Sequence, residues 1–541
     1  MNKKILTFAS ILFCAVFAFA QEEEPEIDID QLEAEANAEQ KAPEVDSELQ
    51  KNFIIIESIR QHELNPQITN YASDSQILCG LYEGLFSYNP ITLDPQYAIC
   101  KEVKISRDKK RWQFILRDDA YFSNGERITA QAVQSSFLQM LSNPAAPYAS
   151  LLDMIRGAKE FRLGQGKMED VGIYVTSENS VSFYLNTPAN YLPKILCHSA
   201  FSIVHRTPTV YSGAYELEDY NQNEYILKKN EYYWDAKNVH LERITFRQSD
   251  DKEENAYLFN TGAVDWVTAD TGKSVILDNQ ALQMNAVFGT GFFYFRMSGT
   301  DNSVWDYADF RNAVIEAFPW ESIRKNSLVP ASTLVYPLAG YPQVDGFEFT
   351  DEIEASLKMS DARKKFNIPA EQIIPLRITI FENEFNDEQK DAIKNALQAL
   401  GIEVQIAEIP SAYYYAVIPQ VQSDMFISSW IGDFADPLAF LELFRGGSTM
   451  NDSHWQNKEF DDLLNKADSV VDDLERYKLL GQAENILLDE GIVLPIYRSV
   501  SLNVIDLKEV GGWASNAFDI HPLKYLYKKA EKVNIPNVVL K

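Results

Sequence analysis

The chain has 541 residues, with 49 Lys and Arg against 79 Asp and Glu, a formal net charge of −30. So acidic a protein is not a nucleic-acid binder, because that partner demands a basic face to neutralise phosphates. Hydrophobic residues at 46% and aromatics at 12% exclude wholesale disorder, and the length allows roughly two to four domains with sizeable cores.

Lys3 and Lys4 precede an apolar run from Ile5 to Ala20 that closes on Ala18-Phe19-Ala20. Residues 1–20 therefore read as a secretory signal peptide, and the run is shorter than the ~20 residues that cross a bilayer. Cys14 raises a second reading, a lipoprotein acylated at that cysteine, against which Phe13 stands where a small residue is normal. The chain is expected to be exported, periplasmic or associated with the cell envelope. Cleavage after Ala20 leaves Cys79, Cys100 and Cys197, so at most one disulfide forms, and the sequence leaves the pair open.

Residues 21–50 carry 12 acidic residues against one lysine, Lys41, with Pro25 and Pro43 and no aromatic residue. That composition predicts a disordered acidic tether. From residue 51 on there is no internal repeat and no Pro/Gly/Ser linker, which predicts interleaved rather than serial domains. Leu376, Ile378 and Ile380 alternate as a strand, Ile393, Ala396, Leu397 and Leu400 have helical spacing, Gly401 follows as a cap, and Ile402, Val404 and Ile406 alternate again. This predicts a β-α-β unit, and with it an α/β fold whose ligand crevice lies outside the carboxyl ends of parallel strands. Residues 458–489 read as helical, and Ile492 to Tyr497, with Pro495 inside, as a strand.

Catalytic signatures are missing. Six histidines show no i, i+4 pair, there is no Gly-x-Ser-x-Gly elbow, and no Cys-x-x-Cys or Cys/His spacing suggests a metal. Thr271-Gly272-Lys273-Ser274 resembles the end of a phosphate loop, but Val267 stands where the motif needs glycine. The reading is a non-enzyme without metal or cofactor.

Several strings recur in order: Leu64-Asn65-Pro66, Tyr82-Glu83-Gly84-Leu85-Phe86, Trp112 through Ala120, Ser123 through Ala130, and Pro147-Tyr148-Ala149-Ser150. They continue with Ser212-Gly213-Ala214-Tyr215-Glu216-Leu217, Lys229 through Asp235, and Trp430-Ile431-Gly432-Asp433 followed by Ala435-Asp436-Pro437. In this order, from about residue 53 to 530, the chain resembles the extracellular solute-binding proteins of ABC importers, specifically the peptide family (family 5) and its oligopeptide-binding branch. The resemblance implies a two-lobed periplasmic-binding-protein clamshell of class II, or cluster C, with an extra inserted subdomain. It places lobe I at 51–82, 206–289 and 501–532, the insertion at 83–205, lobe II at 290–500 and a C-terminal tail at 533–541. Hinge crossings are expected near Gly289 and Val500, about which such proteins close.

A receptor for many peptides draws affinity from what all peptides share, so it adds the backbone as an extra strand and meets the α-ammonium with an anion. The family's amine partner is an aspartate three residues after a tryptophan, which Asp433 after Trp430 matches; a helix-capping carboxylate is the competing role. Tyr148 matches a tyrosine that the insertion presents to the ligand, against an ordinary core tyrosine. Tyr413, first of Tyr413-Tyr414-Tyr415, is chosen as an aromatic pocket wall, and Phe292, beside Phe293, as a lobe II entrance residue, with strand core as its alternative. Ser429, Ile431, Gly432 and Ala72 complete the implied ligand-binding set.

The sequence also departs from the pattern. The strand Asp424 to Ser429 lacks the basic residues that meet a peptide carboxylate in the best-known relatives. Arg296 stands where an asparagine is usual, and Ala132 replaces an aspartate. Arg296 and Arg445 are the candidate substitutes for the missing charge, against a plain surface role for each. The leading function is a monomeric receptor that delivers oligopeptides to membrane permease subunits. The alternatives are the same fold binding an oligosaccharide or metal chelate, and an exported adhesin or sensor.

Overall fold

The computed structural model describes residues 52–529, except 70, 273–280, 300–302 and 412. The expected signal peptide, tether and C-terminal tail lie outside the described residues. A mixed sheet of ten strands organises the molecule, in the order Ile402–Ile409, Ile374–Phe381, Met425–Ile431, Leu282–Phe295, Val493–Ile505, Trp266–Val267, Phe53–Glu57, Arg243–Gln248, Glu224–Lys229 and Tyr215–Tyr220. The α/β class is borne out. At each side the sheet has parallel pairs, Phe53–Glu57 with its two neighbours and Ile374–Phe381 with its two. Between them the two longest strands, Leu282–Phe295 and Val493–Ile505, run antiparallel.

The β-α-β unit forms as its sequence dictates. Strands Ile374–Phe381 and Ile402–Ile409 are parallel and in register from Ile374↔Ile402 to Phe381↔Ile409. The helix Asp387–Gln398 between them starts on a reciprocal cap, the Asn386 side chain accepting from Gln389 N–H while the Gln389 side chain accepts from Asn386 N–H. Ile393 and Leu397 are buried on its inner face, and Gly401, at φ 73°, takes the left-handed turn into the next strand. The helical stretch at 458–489 is two helices, Lys458–Asp468 and Asp473–Asp489, split where Asp472 caps the second by accepting from Glu475 N–H.

The long antiparallel pair loses its register between Ala286↔Val500 and Thr290↔Arg498. Gly289 and Val500, the expected crossings, fall in or beside that irregularity. A Cβ on Gly289 would lie 2.9 Å from the Ser499 side chain, so the close approach requires glycine.

Between residues 83 and 205 a separate four-stranded sheet forms, ordered Cys100–Ile105, Arg111–Leu116, Ser180–Tyr184 and Ile173–Ser177, with the helix Ala130–Ser142 against it. Thr129 caps this helix by accepting from Ala132 N–H, which needs no side chain at 132. The core falls into two main clusters. One runs through residues 85–203 and 288–496 together with Phe518, the other through 53–82, 211–246, Trp266 and 505–526. Cys79, Cys100 and Cys197 are all free thiols.

Many of the recurring strings meet at one joint. Glu83 Oε1 accepts from the Tyr233 hydroxyl at 2.7 Å and the Lys524 ammonium at 2.6 Å, and its Oε2 from the Trp234 indole at 2.6 Å. Arg117 stacks 3.7 Å above the Trp234 ring, Ser212 brackets the Glu83 backbone, and Asn230 donates to Gly213 C=O at 2.9 Å. A Cβ on Gly213 would lie 2.4 Å from the Gly80 carbonyl oxygen. These motifs hold segments of the fold together.

Candidate functional site

The strand Met425–Ile431 carries the site, and its sequence changes character along its length. Met425, Phe426 and Ile427 are fully buried, whereas Ser428 to Ile431 are half-buried. On one side it pairs with Leu282–Phe295 from Phe295↔Met425 to Gly289↔Ile431. On the other it pairs with Ile374–Phe381 only at Met425 and Phe426. Beyond Phe426 that second edge has no strand partner among the described residues. Side chains cover part of it: the Tyr414 hydroxyl donates to Ile427 C=O at 2.8 Å, and the Tyr415 hydroxyl bridges Ser429, accepting from its N–H at 3.2 Å and donating to its C=O at 3.3 Å. By the two-residue period of a strand, Ile431 N–H and C=O face the same side as those of Ser429.

The loop after the strand is fixed at both ends. The Trp430 indole donates to Ala439 C=O at 3.0 Å, and Gly432 N–H donates to Phe288 C=O at 2.7 Å. A Cβ on Gly432 would lie 2.5 Å from the Phe288 ring, so no other residue fits without displacing it. Asp436 caps the next turn through Leu438 N–H and pairs with buried Arg476.

Held between these braces, Asp433 points its carboxyl into the protein. Its Oδ1 accepts from the Tyr148 hydroxyl at 2.9 Å and lies 3.4 Å from His198 Nε2, while its backbone C=O accepts from the Tyr88 hydroxyl. Tyr148 is 1% exposed, and its ring lies 4.6 Å from that of His198. His198 Nδ1 accepts from Ala200 N–H at 3.2 Å, so the neutral ring carries its proton on Nε2, facing Asp433. Burial drives both groups toward neutrality, lifting Asp433 to about 7 and depressing His198 to about 4. Among the described residues no lysine or arginine pairs with Asp433. A buried carboxyl with one neutral hydrogen-bond donor, a second N–H 3.4 Å away and no counter-ion is chemically suited to receive a cationic group.

The remaining expected residues are distributed unevenly. Ala72 is exposed at the start of the helix Ala72–Leu81, directly after Tyr71, whose ring lies 5.7 Å from that of Tyr415. Phe292 is 2% exposed and packs against Tyr294 and Phe444 as strand core. Tyr413 is 64% exposed, and Tyr414 is wholly buried. Tyr414 and Tyr415 both reach the open strand edge, at Ile427 and at Ser429, and the short turn Tyr414–Val417 presents them there. His198 and Tyr88 were not singled out from the sequence; neither carries a spacing signal, and only the tertiary fold brings them to Asp433.

The two candidate cations are engaged elsewhere. Arg296 donates to Asp452 C=O, Ile418 C=O and the Tyr294 hydroxyl and stacks 3.9 Å from the Phe426 ring. Arg445 is shared among Glu442, Asn465 and Asp468. Among the described residues no group of three or more His, Cys, Asp or Glu is placed to hold a metal ion, and no helix is long and apolar enough to cross a membrane.

Comparison with known proteins bears on the family and the fold. The profile of "Bacterial extracellular solute-binding proteins, family 5 Middle" matches residues 94–452, about two thirds of the chain. The chain is 26% identical over 474 residues to the oligopeptide-binding protein OppA of Bacillus subtilis, covering 80% of this chain and 85% of that protein. It is 25% identical over 433 residues to the dipeptide-binding protein DppE of the same organism, covering 75% and 79%. The fold superposes on the Escherichia coli murein tripeptide binding protein MppA with a TM-score of 0.78 at 19% identity, covering 89% of this chain and 99% of that one. With a two-lobed fold, the expected motif strings and a profile match across most of its length, the chain belongs to the bacterial extracellular solute-binding proteins of family 5.

Proposed function

We propose that this protein is the peptide receptor of an ABC importer, and that it holds the free ammonium end of a peptide at Asp433. The observation that carries the reading is the pairing of two features: a buried carboxyl without a counter-ion, and an open strand edge two residues before it. An ammonium entering the first gains a charged, hydrogen-bonded partner, and the peptide backbone can pair with the second as an added strand. In this reading Ile431 offers the backbone groups, Gly432 and Trp430 fix the carboxyl's position, Tyr148 orients it, and Tyr71, next to exposed Ala72, approaches the strand edge through its ring contact with Tyr415. Relatives named as oligopeptide- and dipeptide-binding proteins support the ligand class.

The proposed lobes are residues 51–82, 206–289 and 501–532 for the first, 83–205 for its insertion and 290–500 for the second. The irregular pairing around Gly289 and Val500 supports a hinge there. In this reading the exported monomer closes over its ligand and passes it to permease subunits in the membrane. The test is titration calorimetry with a peptide and its N-acetylated form. Losing the ammonium should weaken binding about a hundredfold, since an unpaired buried charge costs roughly 3 kcal/mol or more. Equal affinity for both forms would sink the reading.

A further inference from the structure

We propose that Tyr415 gauges ligand length, closing the groove after the first paired residue so that the protein selects dipeptides over longer peptides. The inference rests on the receptor reading above and names its substrate class. A strand added to this edge pairs with alternate residues, first Ile431 beside Asp433 and then Ser429. Two residues of extended chain span about 7 Å. A peptide whose ammonium meets Asp433 therefore reaches Ser429 with its third residue.

At Ser429 both backbone groups are already in use. The N–H donates to the Tyr415 hydroxyl at 3.2 Å, and that hydroxyl donates to the C=O at 3.3 Å. One phenol, donor and acceptor at once, makes the two bonds that a third ligand residue would make. Its ring is held by Tyr414 at 5.3 Å, Phe381 at 5.7 Å and Tyr71 at 5.7 Å, so displacing it disturbs its packing against three other rings. The surroundings also oppose a longer ligand. Tyr497, close to both Ser429 and Tyr415, donates to Glu384 at 3.1 Å. A C-terminal carboxylate carried past Tyr415 would meet this acidic group, while Arg296 and Arg445 are held by other partners.

The experiment is calorimetry of the purified chain with di-, tri- and tetra-alanine, repeated with Tyr415→Phe and Tyr415→Ala after thermal melts confirm that each is folded. The wild type should bind dialanine at least about tenfold more tightly than tetra-alanine, and Tyr415→Ala should reduce that ratio about tenfold, the worth of one or two strand hydrogen bonds. Tyr415→Phe, which keeps the ring, should shift it in the same direction by less, and it carries the test if the alanine variant does not fold. Wild-type protein that binds tetra-alanine as tightly as dialanine overturns the proposal, as does a length profile unchanged in the folded variants. Failure to bind a peptide of any length overturns the receptor reading instead.

Discussion

Tyr148 and Asp433 stand 285 positions apart in the chain and share one hydrogen bond of 2.9 Å. That bond joins the inserted sheet region to the loop after the central strand, and it aims a neutral donor at a carboxyl that burial has lifted to about 7. The phenol itself is held far from ionisation by burial and by the same carboxyl. If Asp433 receives the ligand as proposed, ligand capture and the meeting of these two segments are coupled at a single oxygen.

The first prediction follows from the protonation of that oxygen. The empty site holds a proton on Asp433 below about pH 7, whereas an ammonium favours the ionised form, so binding in acid releases a proton. Affinity should fall by roughly 25-fold between pH 7.5 and pH 5.5. Asp433→Asn should bind weakly and almost independently of pH across that range. Calorimetry in buffers of different ionisation enthalpy measures the released proton directly, and a flat affinity profile for the wild type would refute the assignment.

His198 presents a neutral N–H to the same oxygen and is depressed to about 4 by burial. It therefore stays uncharged across the useful pH range and is placed to support an ionised Asp433 without neutralising it. His198→Phe should raise the pKa of Asp433 and weaken peptide binding about tenfold at pH 6, with a smaller loss at pH 8. A loss of equal size at both pH values would point to packing alone.

How much of this was legible in the sequence depends on the kind of signal. The β-α-β unit at 374–409 was readable because Leu376, Ile378 and Ile380 repeat every two residues and Ile393 and Leu397 sit four apart, periods that local geometry alone imposes. Asp433 stood out in the sequence only through its place three residues after Trp430 in a string that resembles the family's, and the structure braces that string at Trp430 and Gly432. The contact of Tyr415 with Ser429 was not legible, since three consecutive tyrosines carry no period and a four-residue turn decides which strand residue each one meets. His198 and Tyr88 reach Asp433 from distant segments, and nothing adjacent to them in the chain records it. The string around Glu83 shows the converse: it marks the family clearly, yet it serves a structural joint.

That joint gives a stability prediction. Glu83 and Lys524 are both largely buried, and Glu83 also satisfies Tyr233 and Trp234. Glu83→Ala would leave a buried ammonium, a phenol and an indole without their acceptor, at a cost of about 3–5 kcal/mol. Adding Lys524→Met should recover part of that loss, because removing both charges is far cheaper than orphaning one. Urea denaturation of the single and double variants would measure both terms, and a near-neutral Glu83→Ala would show that the joint is wet.

His62 lies between two carboxylates, with Nδ1 2.8 Å from Asp74 and Nε2 2.6 Å from Glu57, and the Tyr225 ring edge-on at 4.9 Å. Thr69 also donates to Asp74, and Gln248 to Glu57. Burial alone would lower the imidazole's pKa, but the hydrogen bonds and charges of Asp74 and Glu57 outweigh it and raise the value from 6.5 to about 9. A folded pKa above the unfolded one means that this stabilisation is complete below pH 6.5 and is lost as pH rises through 9. The span corresponds to about 3 kcal/mol. His62→Gln should be less stable than the wild type at pH 6, and the gap should shrink by about that amount at pH 9.5. Parallel denaturation curves at the two pH values provide the measurement, and a gap that stays constant would mean that His62 is not a cation in the folded protein.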